Sequence, residues 1–178
     1  MLAAAIQLLL GVLLANFHEY WIHRFLLHGL GKNKRSAWHF HWEHHNVVRT
    51  SEGYDAAYRT KGYVKERLSL FLIAAVHTPL VLYYPIMAIA LAAYLIAYYQ
   101  IHARSHTNIE WAKKHVPWHW DHHMGPRQAV EANWCVTFPL FDIIMGTRVK
   151  YLGTKKYYLD VARRSRRKMK EIKNEKTT

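Results

Sequence analysis

Two long intervals of this chain carry no Asp, Glu, Lys or Arg, and they dominate its hydropathy pattern. One runs from the N-terminus to Glu19, the first charged side chain, and the other covers the 36 residues between Arg67 and Arg104. Soluble domains of this size rarely leave so long an interval uncharged. Membrane segments do so routinely, because a charge in hydrocarbon is costly. A single helix over 68–103 would be about 54 Å long, against a hydrocarbon layer of about 30 Å. Tyr83-Tyr84-Pro85 lies near the middle of that stretch, and proline ends or kinks a helix. The pattern predicts a tight hairpin of two short membrane helices, 68–83 and 86–103, with a kink at Pro79. Leu2 to Ile22 supplies a third helix, and its start lacks the basic n-region of a secretory signal, so it is expected to be retained. The expected fold is all-α and integral to a membrane, with three spans (one plus a hairpin) and a helical cap. Residues 1–160 form one membrane-embedded domain and 161–178 a basic tail.

Composition changes this picture only once it is located. The 178 residues carry 25 Lys and Arg against 12 Asp and Glu, a formal charge of +13 that would by itself suggest a nucleic-acid partner. Nine basic residues lie in 24–67 and sixteen in 104–178, with none in the first span or the hairpin. One span followed by a hairpin puts both basic stretches on the same side, and the positive-inside rule makes that side cytoplasmic. Arg163-Arg164-Ser165-Arg166-Arg167-Lys168 fits a juxtamembrane segment beside anionic lipid. No recognition motif accompanies the charge, so no nucleic-acid partner is expected. A lone cysteine, Cys135, excludes a disulfide framework, a four-cysteine zinc site and an iron–sulfur cluster.

Fourteen histidines are the second anomaly, and ten fall into four groups. These are His23 and His28 (H-x4-H), His41, His44 and His45 (H-x2-H-H), His102 and His106 (H-x3-H), and His119, His122 and His123 (again H-x2-H-H). The second and fourth nearly repeat each other, as HWEHH and HWDHH, which points to two related half-sites. On a helix, residues three and four apart share a face, so these groups present their imidazoles together. His23 and His28 fit less well, since five residues diverge by about 140° on an ideal α-helix. A helix ending at Gly29 would let His28 fold back.

Imidazole suits iron, zinc and copper, and four or five ligands per ion make two ions. Neutral ligands leave the metal charge uncompensated, so carboxylates are expected on the imidazole N–H groups, with Glu19, Glu43 and Asp121 as candidates.

These residues resemble the fatty acid hydroxylase/sterol desaturase superfamily of membrane di-metal oxygenases. The resemblance runs from Glu19 to Thr147. It rests on the four histidine boxes, on Glu19-Tyr20 ahead of His23-Arg24-Phe25, and on Val136-Thr137-Phe138-Pro139-Leu140-Phe141-Asp142 followed by Gly146-Thr147. It implies a catalyst that uses O2 and two electrons to hydroxylate, or sometimes desaturate, a lipid C–H bond, with all ten box histidines as metal ligands. His18, His39, His77 and His115 fall outside the pattern. The x4 first box is similar to that of fatty acid/ceramide 2-hydroxylases, whereas sterol 4-methyl oxidases more usually show x3. Carotenoid hydroxylases share x4 and the small size, but their third box is usually x4. This chain has one span before the first box where the fatty acid hydroxylases commonly have two, and it lacks the cytochrome b5 domain some members carry.

Attack on an unactivated C–H bond needs a redox-active metal, which implies iron, although zinc can replace it in isolated protein. The chain has no flavin or nicotinamide fingerprint, so electrons are expected from a reductase, ferredoxin or b5-like carrier. A bacterial inner membrane or the endoplasmic reticulum is the expected location.

Among the remaining residues, His77 is expected to bond a neighbouring helix, and His18 to act near the site or at the interface. His39 and His115 read as neighbours of the boxes or loop residues. Asn133 is either a metal ligand or a backbone partner in the Trp134-Cys135 turn, and Cys135 a packing residue. Trp38, Trp118 and Trp120 are candidates for lining a substrate entrance. The rival readings are a carotenoid or sterol hydroxylase or desaturase, a His-rich membrane metal-binding or transport protein, and a bis-histidine haem protein.

Overall fold

The computed structural model describes residues 1–60, 63–126 and 130–175, and among these all regular structure is helical. α1 (Leu2–Trp21) passes without a break into a π-helical stretch, Ile22–Gly29, and a 3-10 turn, Leu30–Lys32. After a second 3-10 turn (Ala37–His39) come α2 (Phe40–Thr50), α3 (Ala57–Thr60), α4 (Val64–Val76) and α5 (Leu80–Tyr83). α6 (Pro85–Thr107) is followed by α7 (Ile109–His115), α8 (Pro117–Met124), α9 (Leu140–Ile144) and α10 (Lys155–Glu175). Pro85 and Pro117 open their helices, where the missing N–H costs nothing, and the Asn108 side chain caps α7 by accepting from Trp111 N–H at 3.0 Å.

α1 and α6 form the backbone of the bundle. A Cβ at Gly11 would lie 2.5 Å from Met87 O and 2.7 Å from Ala90 Cβ, so glycine permits the close helix contact there. Below it Ala15, Leu91 and Leu95 make a buried cluster, against which Leu70, Ile73 and Ala74 of α4 pack. The opposite faces of these helices, including Leu8, Leu9, Phe71, Leu72, Ile89 and Ile96, are exposed. Apolar surface of this extent is what a lipid environment covers.

Two helices are long and apolar enough to cross a membrane, Leu2–Lys32 and Pro85–Thr107. The leg expected over 68–83 is divided. α4 ends at Val76, His77 and Thr78 turn back on the Ala74 and Ala75 carbonyls, and Pro79 starts the short α5. The kink expected at Pro79 is thus a full break, and the 13 residues of α4 extend only about 20 Å. His77 accordingly bonds its own helix, Nδ1 donating to Ile73 O at 2.8 Å. It meets α1 only through an edge-on ring contact with His18, whose Nδ1 donates to Leu14 O.

Candidate metal centre

The cytoplasmic-expected ends of α1 and α6 converge with α2 and α8, and this brings the histidine boxes together. One group gathers His23, His28, His41, His45 and His122, all buried, with one nitrogen of each within 4.8 Å of the others. A second gathers His44, His102, His106 and His123, also buried. His119 lies at the edge of the second group, its Nε2 3.0 Å from Nε2 of His106. The half-sites suggested by HWEHH and HWDHH are not segregated: α2 and α8 each send histidines to both groups.

His23 and His28 reach one group by a route different from the one expected. The helix does not end at Gly29. It widens, so that Leu30 N–H reaches back to Phe25 O as well as Leu26 O. Bonds from i to i+5 bring residues five apart to roughly one turn, which aligns the x4 pair on a single face.

The donor atoms of the first group fit a cation. Nε2 of His28 has three Nε2 neighbours, those of His41, His45 and His122, each at 3.1 Å. One imidazole N–H can satisfy one of these contacts, and the others set lone pair against lone pair unless positive charge lies among them. The His122 Nδ1–H is fixed by donation to Ala132 O at 2.7 Å, and that of His23 by donation to Trp134 O at 2.5 Å, so both Nε2 atoms are bare. Adjacent ligands at right angles around an ion about 2.1 Å away are themselves about 3.0 Å apart. In the second group Nε2 of His44 and His102 and both nitrogens of His123 are buried without a partner. Burial pushes the imidazoles of His41, His45, His119 and His123 well below their ordinary value, and His122 down to about 3. Neutral imidazole is the form that binds metal.

The carboxylates that hold the rings are not the ones the sequence singled out. Glu66 Oε1 accepts from His102 Nδ1–H at 2.5 Å, and Asp55 Oδ2 accepts from His44 Nδ1–H at 3.0 Å. Tyr58 donates to Glu66 and Tyr63 to Asp55, completing a buried polar shell around the second group. Burial alone would raise the Asp55 carboxyl, but hydrogen bonds from His44, Tyr63 and Ala57 N–H hold it below its ordinary value. In this second group Gly53 O takes the His106 Nδ1–H at 3.0 Å.

Glu43 is exposed and touches no imidazole. Asp121 is buried but accepts from Leu152 N–H at 2.7 Å and Arg148 at 3.3 Å, anchoring the C-terminal segment instead. Glu19 accepts from Val136 N–H, Thr137 N–H and the Thr137, Tyr94 and Asn16 side chains at 2.5 to 3.1 Å. It ties the 134–138 loop to α1, and through Trp134 O that loop orients His23. Asp142 clamps the same loop through Trp134 N–H and Cys135 N–H, both at 2.8 Å. Asn133, at φ 57°, pairs with Val149 N–H and O and with Arg148, and Cys135 is buried between Tyr20 and Trp134. His39 donates to Gly31 O, and His115 stacks on Trp111.

A cleft of about 50 Å³ leads to the histidines from between α1, α4 and α6. Ala15, Ile22, Leu70, Ile73 and Leu95 line its apolar length, and it ends on His23 and His41 of one group and His44 and His102 of the other. Outside it, a groove of about 310 Å³ along α4 and α6 shares Leu70 and Leu95. Trp38, Trp118 and Trp120 line neither. Trp118 Nε1 donates to Val136 O, and Trp120 packs on Val48 and Met124. The cleft lies between α1, α4 and α6, and Tyr58, Tyr94 and Tyr98 contribute to its aromatic wall.

An all-helical, membrane-compatible protein with nine buried imidazoles in two clusters defines a histidine-box class of metal-binding protein. The fatty acid hydroxylase family model matches residues 8–147, and the chain belongs to that family. The family consists of hydroxylase and desaturase oxygenases, which makes this an oxidoreductase of a membrane-associated kind. No match is found among curated proteins or among solved structures.

Proposed function

We propose that this protein is a membrane-bound, non-haem di-metal oxygenase that hydroxylates a C–H bond of a fatty-acyl or related lipid. The observation that carries the proposal is the apolar cleft that ends on histidines of both groups at once. One ion would be held by His23, His28, His41, His45 and His122, and the other by His44, His102, His106 and His123 with His119 beside them. Iron in these positions would supply the O2 activation and electron transfer that C–H hydroxylation needs.

The chain's own contribution is positional. Trp134 O, Ala132 O and Gly53 O, with Asp55 and Glu66, fix the ring orientations that aim bare Nε2 atoms inward. Leu70, Ile73 and Leu95 present an apolar wall that accepts a hydrocarbon chain and excludes water from the reacting C–H bond. The outer groove offers such a chain a route from the bilayer, with Leu70 and Leu95 between it and the cleft. Orientation with the histidine boxes and C-terminus in the cytoplasm follows from the basic excess of 24–67 and 104–178. That basic face would draw in an acidic electron carrier, either a reductase, a ferredoxin or a b5-like protein.

Lipid mass spectrometry of expressing cells, paired with metal analysis of the purified protein, tests the reading. Two metal ions per chain and a lipid heavier by one oxygen, lost in His44→Ala without loss of the folded protein, are the expected results. Undiminished product in His44→Ala would overturn it. The product class also separates an acyl substrate from a sterol or carotenoid one.

A further inference from the structure

α10 is amphipathic, and it is docked with its polar side toward the protein. Asp160 Oδ2 accepts from Tyr151 OH at 3.0 Å, Arg164 donates to the Tyr151 hydroxyl at 3.4 Å, and Arg163 and Arg164 line a hollow with Arg49 and Met124. Tyr158, Leu159 and Met169 meanwhile stand 63%, 61% and 63% exposed. At about 100° per residue, Val161, Tyr158 and Met169 span about 80°, Asp160 lies about 160° from Tyr158, and Leu159 stands apart, about 100° from Tyr158. The apolar stripe therefore faces away from the body of the molecule. From Val161 onward every described side chain of this helix is exposed.

Such a helix is poorly supported in water. Beyond Asp160 its apolar side chains Val161 and Met169 are exposed, and isolated helices of this length are marginal. Arg163 and Arg166, and Arg166 and Lys170, set like charges three and four residues apart, which destabilises a free helix further. Both defects vanish on one kind of surface, apolar just below and anionic at the top. Tyr158, Val161 and Met169 would enter the acyl boundary while Lys155 and Arg166, about 60° and 80° from Tyr158, flank the stripe and meet lipid phosphates.

We infer that α10 is an interfacial anchor that lies on the anionic face of the bilayer with its apolar stripe inserted. The basic tail expected from sequence is thus more than an electrostatic tether. The inference rests on the membrane reading and is independent of the metal chemistry. Residues 176–178 of that tail lie outside the described residues.

The test uses the full chain in nanodiscs, with single cysteines introduced as Tyr158→Cys, Met169→Cys or Arg163→Cys in a Cys135→Ser background. Nitroxide labels then report access to oxygen against a water-soluble nickel chelate. In mixed phosphatidylglycerol/phosphatidylcholine discs, labels at 158 and 169 should favour oxygen and the label at 163 the chelate. Phosphatidylcholine alone, or Lys155→Gln with Arg166→Gln, should shift 158 and 169 toward water, each lost charge weakening the surface contact about fivefold. Equal chelate access at all three positions in anionic discs would overturn the inference. So would spin–spin coupling between copies at 158 or 169, which would assign the stripe to a second chain. Labels buried to the same depth in neutral and anionic discs would contradict the electrostatic part.

Discussion

Glu66 on α4 holds Nδ1 of His102 on α6 at 2.5 Å, and Asp55 holds Nδ1 of His44 in the same group at 3.0 Å. In the His23/His28/His41/His45/His122 group, by contrast, the ring N–H groups of His23 and His122 rest on neutral backbone carbonyls. The two groups thus differ in the charge behind their imidazoles. Glu66→Gln and Asp55→Asn keep hydrogen-bonding capacity and remove the charge, and each should weaken one metal about 10- to 100-fold. Metal analysis after dialysis should fall from two ions per chain toward one, with Glu66→Ala falling further than Glu66→Gln. Unchanged retention in all three variants would show that these carboxylates do not support the second centre.

Leu95 stands between the outer groove and the inner cleft. Leu95→Trp should fill that junction and lower lipid product roughly tenfold or more, with metal content unchanged. Leu95→Ala should retain turnover and accept bulkier chains, as read from the product profile of a mixed-lipid competition assay.

Glu19 is a structural clamp for the 134–138 loop rather than a partner of an imidazole. Glu19→Ala leaves the buried Val136 N–H and the half-buried Thr137 N–H without an acceptor, at a cost of about 1–3 kcal/mol for the buried group and less for the other. Thermal denaturation in detergent should show a fall of roughly 5 °C or more. Glu19→Gln keeps an oxygen acceptor and should lose clearly less.

The metal-free protein should be acid-sensitive. The folded-state values of His41, His45, His119, His122 and His123 lie below the ordinary 6.5 because of burial. Below that value the unfolded chain binds more protons than the folded one, so stability rises with pH in this window and is lost as pH falls. Each such histidine costs up to ~1.4 kcal/mol per pH unit. Melting of the chelated protein should drop steeply from about pH 7 to about pH 5, and added metal should offset part of the loss. A flat profile would mean that these imidazoles are not buried.

The histidines were legible in the sequence because ligation needs several imidazoles on one face, and helical spacing records that directly. The carboxylates were not. Glu43 and Asp121 sit inside their boxes, two residues from His41 and His119, and residues two apart on a helix face different ways. Asp55 and Glu66 arrive from a loop and a neighbouring helix, where no spacing rule connects them to His44 or His102. The x4 box was readable as an irregularity, yet only the helical hydrogen bonds reveal a π-helix rather than a helix end at Gly29. The divided 68–83 leg was half legible. Pro79 signalled a bend, but whether a proline kinks or breaks a helix depends on the packing around it, and here His77 and Thr78 close a turn just before it.

We propose that the paired histidine groups direct oxygen from O2 into a lipid C–H bond. The most direct measurement is mass spectrometry of lipids from expressing cells grown under 18O2. The account predicts a hydroxylated lipid carrying one 18O atom, absent when His44→Ala replaces the native protein. Product oxygen derived from water, or no oxygenated lipid from a fully metal-loaded protein supplied with reductant, would contradict it.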